Sequence, residues 1–288
     1  MPAKRIAIEL DTEDQLSYIP QVQGMVQKSG FTSEILSSEQ IIAGELFGFD
    51  AVIFPGGMGA FYGLREYEGF ADAIRYFVAN GGGYMGICGG AYVAGLRMTE
   101  TLYSYCPRTL GLIDAKISSP PWIRYILGYR EATGERVPVT CQITAEPHPI
   151  VIPYQGQTID IVYSGGPLIE IGPEVIPLLA YVDDIMPPGD VVLCCSVFGK
   201  GKVVISSPHP EAPWGEDLVN TGCQEWLYFN MLRWVSEPEE KASFPFFPWE
   251  IEKRLIPYPV IPIALALTFG VVMTFGITQI ASSLEMGK

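Results

Sequence analysis

The segment GGGYMGICGGAYVAG, residues 81–95, places one cysteine, Cys88, among seven glycines. Residues 86–90 fit a G-x-C-x-G turn between a strand and a helix, a pattern that presents a nucleophile in a strained turn whose neighbours must be small. The N-terminus of the following helix favours a thiolate, because partial positive charge collects there. The N–H of Gly89 is expected to point toward the oxyanion of an acyl intermediate. These residues predict attack by a thiolate on an acyl carbon.

Thiolate chemistry needs a base, and the chain offers two histidines, His148 and His209. His209 follows the predicted strand VVISS and stands two residues before Glu211, a carboxylate that can orient the imidazole ring. His148 also follows a predicted strand, but no acid comes after it in the sequence EPHP. We therefore predict His209 as the base and keep His148 as the alternative.

A second glycine-rich turn, FPGGMG at residues 54–59, is a candidate for the other oxyanion donor. Glycines let backbone N–H groups approach a ligand closely, which an oxyanion site requires. A plain turn would explain the same residues. The functional interpretation of this turn therefore depends on Cys88.

The elements that must position these residues alternate along the first part of the chain. Strands are predicted at 5–10, 32–37, 50–57 and 83–87, with a helix over 65–82. This alternation predicts a parallel sheet covered on both faces, in which ligands bind at the C-terminal ends of the strands. Both glycine turns follow such ends. Residues 107–200 are expected to form a mainly β region, and the segments 201–211 and 217–237 a closing strand and helix.

The order of these motifs resembles a known family. A PGG turn, then G-x-C-x-G, then HPE after a late strand is similar to class I glutamine amidotransferase domains. The segments GICGGAYVAG and SSPHPE resemble in particular the amidotransferase-like N-terminal domain of eukaryotic-type biotin–protein ligases. The resemblance implies a flavodoxin-like α/β three-layer sandwich with a mostly parallel sheet. It also implies that Cys88 is the nucleophile, His209 the base, Glu211 its orienting acid, and Gly57 with Gly89 the oxyanion hole.

The chain departs from the family pattern at Tyr92. Amidotransferases usually carry a glutamine four residues after the cysteine, where it helps to bind substrate glutamine, so Tyr92 is expected to contact the substrate here. No biotin-adenylate loop of the GRGRxG type is found in the sequence. We expect a cysteine hydrolase acting on a small-molecule amide or related acyl carbon. An inactive amidotransferase-like subunit of a membrane complex and a cysteine peptidase of related fold are the alternatives.

Composition and charge exclude several classes of partner and cofactor. The formal charge of −14 argues against nucleic acid, because phosphate binding needs a basic face. None of the six cysteines forms a CxxC pair, so neither a zinc site nor another metal is expected, and no motif calls for a cofactor. The N-terminus lacks the apolar stretch of a signal peptide, which favours the cytoplasm for the main domain.

The C-terminal tail differs from the rest of the chain. No charged residue occurs over 255–284, and the apolar stretch at 259–282 is long enough to cross a bilayer as a helix. The expected organisation is a domain at 1–236, with the β-rich extension at 107–200, a Pro- and aromatic-rich linker at 237–258, the membrane helix, and a short tail at 283–288. Lys253 and Arg254 before the span, against Lys288 after it, favour a cytoplasmic N-terminal domain.

Overall fold

The structure is a computed structural model of the 288-residue chain, and it describes residues 3–120, 137–144, 147–154, 156–182, 189–212 and 222–237. The predicted membrane helix at 259–282 and nearly all of the predicted linker lie outside these residues. Within the described ranges, no helix combines the length and the apolar character needed to cross a bilayer.

The first part of the chain alternates strands and helices as predicted. One detail differs: the predicted helix over 65–82 is replaced by two helices, one that ends at Glu66 and one over Phe70–Ala79. The elements are β1 (Arg5–Glu9), α1 (Ile19–Lys28), β2 (Thr32–Leu36), α2 (Ser38–Ile42), β3 (Ala51–Phe54), α3 (Gly59–Glu66), α4 (Phe70–Ala79), β4 (Gly83–Ile87), α5 (Gly89–Ala94), β5 (Gly95–Met98) and α6 (Glu100–Tyr105).

The second part is rich in strands, which confirms the mainly β character predicted for 107–200. Short 3-10 helices occupy Glu13–Ser17, Glu45–Gly48 and Ile152–Tyr154. The remaining elements are β6 (Ile113–Ser118), β7 (Val137–Ile143), β8 (Thr158–Tyr163), β9 (Leu168–Ile171), β10 (Ile176–Tyr181), β11 (Val191–Phe198), β12 (Gly201–Ser206) and α7 (Gly222–Ser236).

The strands form one mixed sheet with the order β2-β1-β3-β4-β12-β11-β10-β7-β8, and β5, β6 and β9 join it through β11. The first five strands of this order are parallel, while β12 to β8 are antiparallel neighbours. The expectation of a mostly parallel sheet was therefore wrong for the sheet as a whole. A two-residue turn joins β11 to β12, and such a turn can connect only antiparallel strands.

Helices cover both faces of the parallel part, so the expected three-layer α/β sandwich is present. Side chains alternate along β1: Ile6 and Ile8 pack with residues of α1 and α7, while Ala7 packs with residues of α3 to α5 on the other face. The adjacent Cys194 and Cys195 likewise point into opposite cores, and both are buried free thiols. The pair therefore lies within a buried strand, with both thiols free.

The sheet register brings the motif-bearing loops to one edge. In the parallel pair β4–β12, Ile87 lies opposite Ser206, and the N–H of Cys88 donates to the Ser206 carbonyl at 2.9 Å. In the pair β3–β4, Phe54 lies opposite Gly86. The PGG turn, the cysteine turn and the HPE segment therefore leave the sheet side by side at the C-terminal ends of three neighbouring strands.

Candidate active site

Cys88 has a strained backbone at the junction of β4 and α5. Its φ of 49° and ψ of −100° make it the one non-glycine residue with positive φ in the described part of the chain. A non-glycine residue in such a region costs on the order of 1–3 kcal/mol, so the surrounding contacts must hold it there. Its side chain is 7% exposed and lines a cleft. The predicted strand–cysteine–helix turn is confirmed in this geometry.

The glycines after Cys88 are required by close backbone contacts. A Cβ on Gly89 would lie 2.0 Å from the carbonyl oxygen of Gly57, and one on Gly90 would lie 2.3 Å from that of Phe54. In addition, the Gly90 N–H donates to the Pro55 carbonyl at 3.2 Å. The start of α5 is therefore pressed against the PGG turn, which explains why small residues follow the cysteine.

We expect the substitution Gly89→Ala to destabilise the fold, since the Gly57 carbonyl is backbone and cannot swing aside. The expected loss in the free energy of unfolding is about 2 kcal/mol or more. Thermal denaturation of the full chain measures it. The control is Gly24→Ala in α1, where a Cβ meets no atom within 4 Å, and which should raise stability by roughly 0.5–1 kcal/mol. Equal melting temperatures for the two variants would contradict the packing argument.

His209 and Glu211 form a buried pair beside this turn. The Nδ1 atom of His209 lies 2.7 Å from Oε1 of Glu211, and both side chains are almost fully buried. The ring of Tyr18 stacks on the imidazole, with centroids 5.2 Å apart and an angle of 15° between the planes. The backbone N–H of His209 donates to the Val162 carbonyl at 2.7 Å. Three contacts therefore hold the imidazole in place: this backbone hydrogen bond, the stacked Tyr18 ring and the Glu211 carboxylate at Nδ1.

The electrostatic surroundings of His209 favour the imidazolium. Burial by itself lowers the pKa of this ring, but the negative charge of Glu211 and the charge and hydrogen bonding of Cys88 outweigh it and raise the pKa well above its ordinary value. Nε2 makes no hydrogen bond of standard geometry with another described residue. Nε2 is therefore available to a reacting group, and catalytic hydrogen bonds often tighten only when a substrate binds.

Two backbone N–H groups are available near the thiol. Gly57 and Gly89 both line the cleft with Cys88, and within the described residues neither N–H donates to a protein acceptor. The adjacent Met58 N–H is already used, because it donates to Oδ2 of Asp14 at 2.8 Å. The structure thus brings the predicted oxyanion donors together with the cysteine.

Tyr92 lies on the first turns of α5 and also lines the cleft. Its hydroxyl donates to the Gly165 carbonyl at 3.2 Å, and burial raises the pKa of this phenol above its ordinary value. The cleft has a volume of about 360 Å³, within the range of small-molecule sites. Tyr92 therefore lines the same cleft as Cys88, and its contact with a substrate stays a prediction.

His148 lies in a second cysteine–histidine contact, which has the opposite electrostatics. Its Nε2 lies 3.6 Å from Sγ of Cys195, while its Nδ1 accepts from the Ile150 N–H at 3.3 Å. Burial, and then the charge of Lys202, lower the pKa of His148, and burial raises that of Cys195 to about 12. Because Nδ1 accepts a hydrogen bond, the neutral ring carries its proton on Nε2. Nε2–H donates a hydrogen bond to the sulfur of the protonated Cys195 thiol, so His148 is not placed to act as a base toward Cys195.

Several cleft residues were not found by sequence reasoning. Asp14 and Tyr18 come from the turn after β1, and Ser164 follows β8; its carbonyl lies 3.9 Å from the Cys88 sulfur. One signal was available for the turn: Thr12 and Gln15 form a T-x-x-Q capping box. Nothing in the sequence indicated that Tyr18 stacks on His209, because 191 positions separate them.

The comparison with protein families gives one match over most of the chain. The family described as "Biotin-protein ligase, N terminal" matches residues 47–241, a range that contains Gly57, Cys88, Gly89, His209 and Glu211. A stretch of 58 residues is 40% identical to the cobyric acid synthase of Syntrophobacter fumaroxidans. That alignment covers 19% of this chain and only 11% of the synthase.

Solved structures share the fold at low sequence identity. A glutamine amidotransferase is 21% identical with a TM-score of 0.55, over 81% of this chain and 99% of that one. PurLQS from Thermotoga maritima is 16% identical with a TM-score of 0.56, over 81% and 100%. A ThuA-like protein from Bacteroides uniformis is 16% identical with a TM-score of 0.52, over 84% and 95%. The amidotransferase-like fold expected from the motifs is confirmed.

Proposed function

From the premise that the chain belongs to the biotin-protein ligase N-terminal family, we propose that it is a cysteine hydrolase acting on an amide or related acyl carbon. The observation that carries this proposal is the meeting of Cys88 with the buried His209–Glu211 pair at the ends of two adjacent parallel strands. A strained cysteine, a fixed imidazole and two free N–H groups are the parts that acyl transfer needs.

In the first half of the reaction, the Cys88 sulfur attacks the carbonyl carbon and a C–S bond forms. The carbonyl oxygen takes the negative charge and accepts hydrogen bonds from the Gly57 and Gly89 N–H groups. The imidazolium of His209 gives its Nε2 proton to the leaving amine as the C–N bond breaks. The products of this step are a free amine, or ammonia from a primary amide, and a thioester on Cys88.

In the second half, water attacks the thioester carbon. His209, now neutral, takes a proton from the water, and the C–S bond breaks to release a carboxylic acid and restore the thiolate. The carboxylate of Glu211 holds Nδ1 throughout, so Nε2 stays directed toward the reacting atoms. The small volume of the cleft favours a small molecule over the extended chain that a peptidase would bind.

The proposal is tested by trapping the thioester. The full chain is mixed with p-nitrophenyl acetate and quenched in acid, and intact-mass and peptide analysis locate the acetyl group. We expect one acetyl group, on Cys88, and a rapid release of p-nitrophenolate equal to the protein concentration. Acetylation spread over the surface lysines with none on Cys88 would remove the hydrolase proposal.

A second proposal concerns the tail, and its support is the sequence alone. We propose that the apolar segment 259–282 anchors the chain in a membrane and that the N-terminal domain lies on the cytoplasmic side. Within the membrane this segment is available to pack into a membrane protein complex.

We expect the full chain to stay in the membrane pellet after an alkaline carbonate wash. A charged substitution at the middle of the apolar segment, Val271→Arg, should increase the released fraction, because a charge at the centre of a span costs about 2.5–3.5 kcal/mol on insertion scales. Val271→Ile is the matched control. Complete release of the unaltered chain would rule out a spanning helix.

A further inference from the structure

The cleft beside Cys88 has two chemically different walls. On one side the rings of Tyr92, Phe61 and Tyr105 follow one another, with Phe61 centred 5.9 Å from Tyr92 and 5.7 Å from Tyr105. Leu102 adds to this wall, and Phe61 is almost fully buried. The planes of Phe61 and Tyr92 meet at 49° and those of Phe61 and Tyr105 at 76°, so the three rings form an angled apolar surface that starts next to the thiol and ends at Tyr105 on the rim.

The other wall carries a negative charge. Asp14 is the one charged side chain among the described residues that line the cleft, and it is exposed. Its Oδ2 accepts from the Met58 N–H, and it would touch a Cβ placed on Gly57, so the carboxylate stands directly beside the oxyanion donors. The ring of Tyr18 also lines the cleft and stacks on the imidazole of His209.

Resting on the proposed function, we infer that the substrate is a small amide or ester with an apolar or aromatic body and a positively charged group, not free glutamine. The aromatic wall receives the body, and the charged group lies near Asp14, whose carboxylate attracts a cation. Free glutamine brings an α-ammonium, which Asp14 attracts, but also an α-carboxylate, for which the described lining of the cleft offers no Lys or Arg side chain. Arg65 contacts the outer side of the wall, with Cζ 5.1 Å from the Tyr105 ring centroid, but it also lies 3.5 Å from Glu66.

The test uses three electrophiles with one reactive group: N-benzyl-2-chloroacetamide and its para-aminomethyl and para-carboxy derivatives. The rate of Cys88 alkylation in the full chain is followed by intact mass and divided by the rate with glutathione. We expect the cationic probe to react fastest and the anionic probe slowest, with roughly a tenfold span. The glutamine analogue 6-diazo-5-oxo-L-norleucine should react more slowly than the cationic probe.

The variant Asp14→Asn keeps an acceptor for the Met58 N–H but removes the charge. It should bring the cationic and anionic rates within about twofold of each other. Glu13→Gln removes the same charge from the same turn outside the cleft lining and should leave the order unchanged. An anionic probe or glutamine analogue that reacts fastest would overturn the inference and leave the hydrolase proposal standing. Failure of all probes at Cys88 would overturn both.

Discussion

The variant Cys88→Ala is expected to lose the burst of p-nitrophenolate and at least about 10⁴ of the acylation rate with p-nitrophenyl acetate. The reason is chemical: the sulfur supplies the electron pair that forms the acyl bond, and no described side chain beside it can replace a thiolate. The fold should survive, because alanine places no new atom in the strained turn. Stopped-flow absorbance gives the rate, and circular dichroism verifies the fold.

The matched control for this variant is Cys195→Ala. Cys195 is also a free thiol within reach of a histidine, but burial holds its pKa near 12 and His148 donates to its sulfur. We therefore expect the acylation rate of Cys195→Ala to stay within about twofold of the unaltered chain. If the Cys88→Ala protein kept its full burst, or if the Cys195→Ala protein lost it, Cys88 would not be the nucleophile.

We expect Glu211→Gln to lower the free energy of unfolding, and we expect the size of this loss to depend on pH. Burial lowers the pKa of His209, and the negative charge of Glu211 contributes most to raising it. Removing that charge leaves a buried imidazole without its charge partner. Breaking a buried pair by removing one member costs about 3–5 kcal/mol. For a domain of this size the melting temperature should fall by roughly 6–20 °C near pH 6.

The direction of the pH dependence follows from the raised pKa. A group whose pKa is higher in the folded state contributes its full stability below its unfolded pKa, about 6.5 for histidine, and loses it as the pH rises through the folded value. The melting temperatures of the unaltered chain and of Glu211→Gln should therefore differ most at pH 6 and converge as the pH rises toward 9. Glu13→Gln, an exposed acid, serves as the control with no such trend.

A gap that is constant over this pH range would show that Glu211 stabilises the fold by packing alone. A gap that widens with rising pH would mean that His209 is neutral in the native protein. Either result would remove the imidazolium from the proposed mechanism, in which His209 donates the first proton.

Local patterns were enough to predict the parallel half of the fold and the turn around Cys88. Gly86, Cys88 and Gly89 lie within four positions, and small residues on both sides of a cysteine are typical of a tight strand–helix turn. A short segment is therefore enough to predict this turn. The preference for His209 over His148 also came from local chemistry, since an acid two residues on can reach the same ring. In the structure the acid does reach the ring, since Nδ1 of His209 lies 2.7 Å from Oε1 of Glu211, while the role of His209 as the base stays a prediction.

The cleft walls could not be predicted in the same way. Asp14 reaches the oxyanion turn across the sheet, and Phe61 meets Tyr105 through packing of α3 on α6, contacts that no short segment encodes. The direction of β10 and β11 was missed because apolar runs such as VVLCCSVF look alike in parallel and antiparallel strands. Only the short turn between β11 and β12 carries that information.

Strand β12 belongs to two kinds of sheet at once: parallel toward β4 and antiparallel toward β11. The sulfur and imidazole depend on its parallel side, whereas Ser164, Gly165 and Ser119, which border the cleft, come from the antiparallel extension. Both parts of the sheet therefore contribute to one cleft: the parallel part holds the reactive atoms together with Asp14 and the aromatic rings, and the extension supplies the remaining border. A substitution in that border can change the shape of the cleft while the hydrogen bond from the Cys88 N–H to the Ser206 carbonyl keeps the cysteine turn beside the histidine segment.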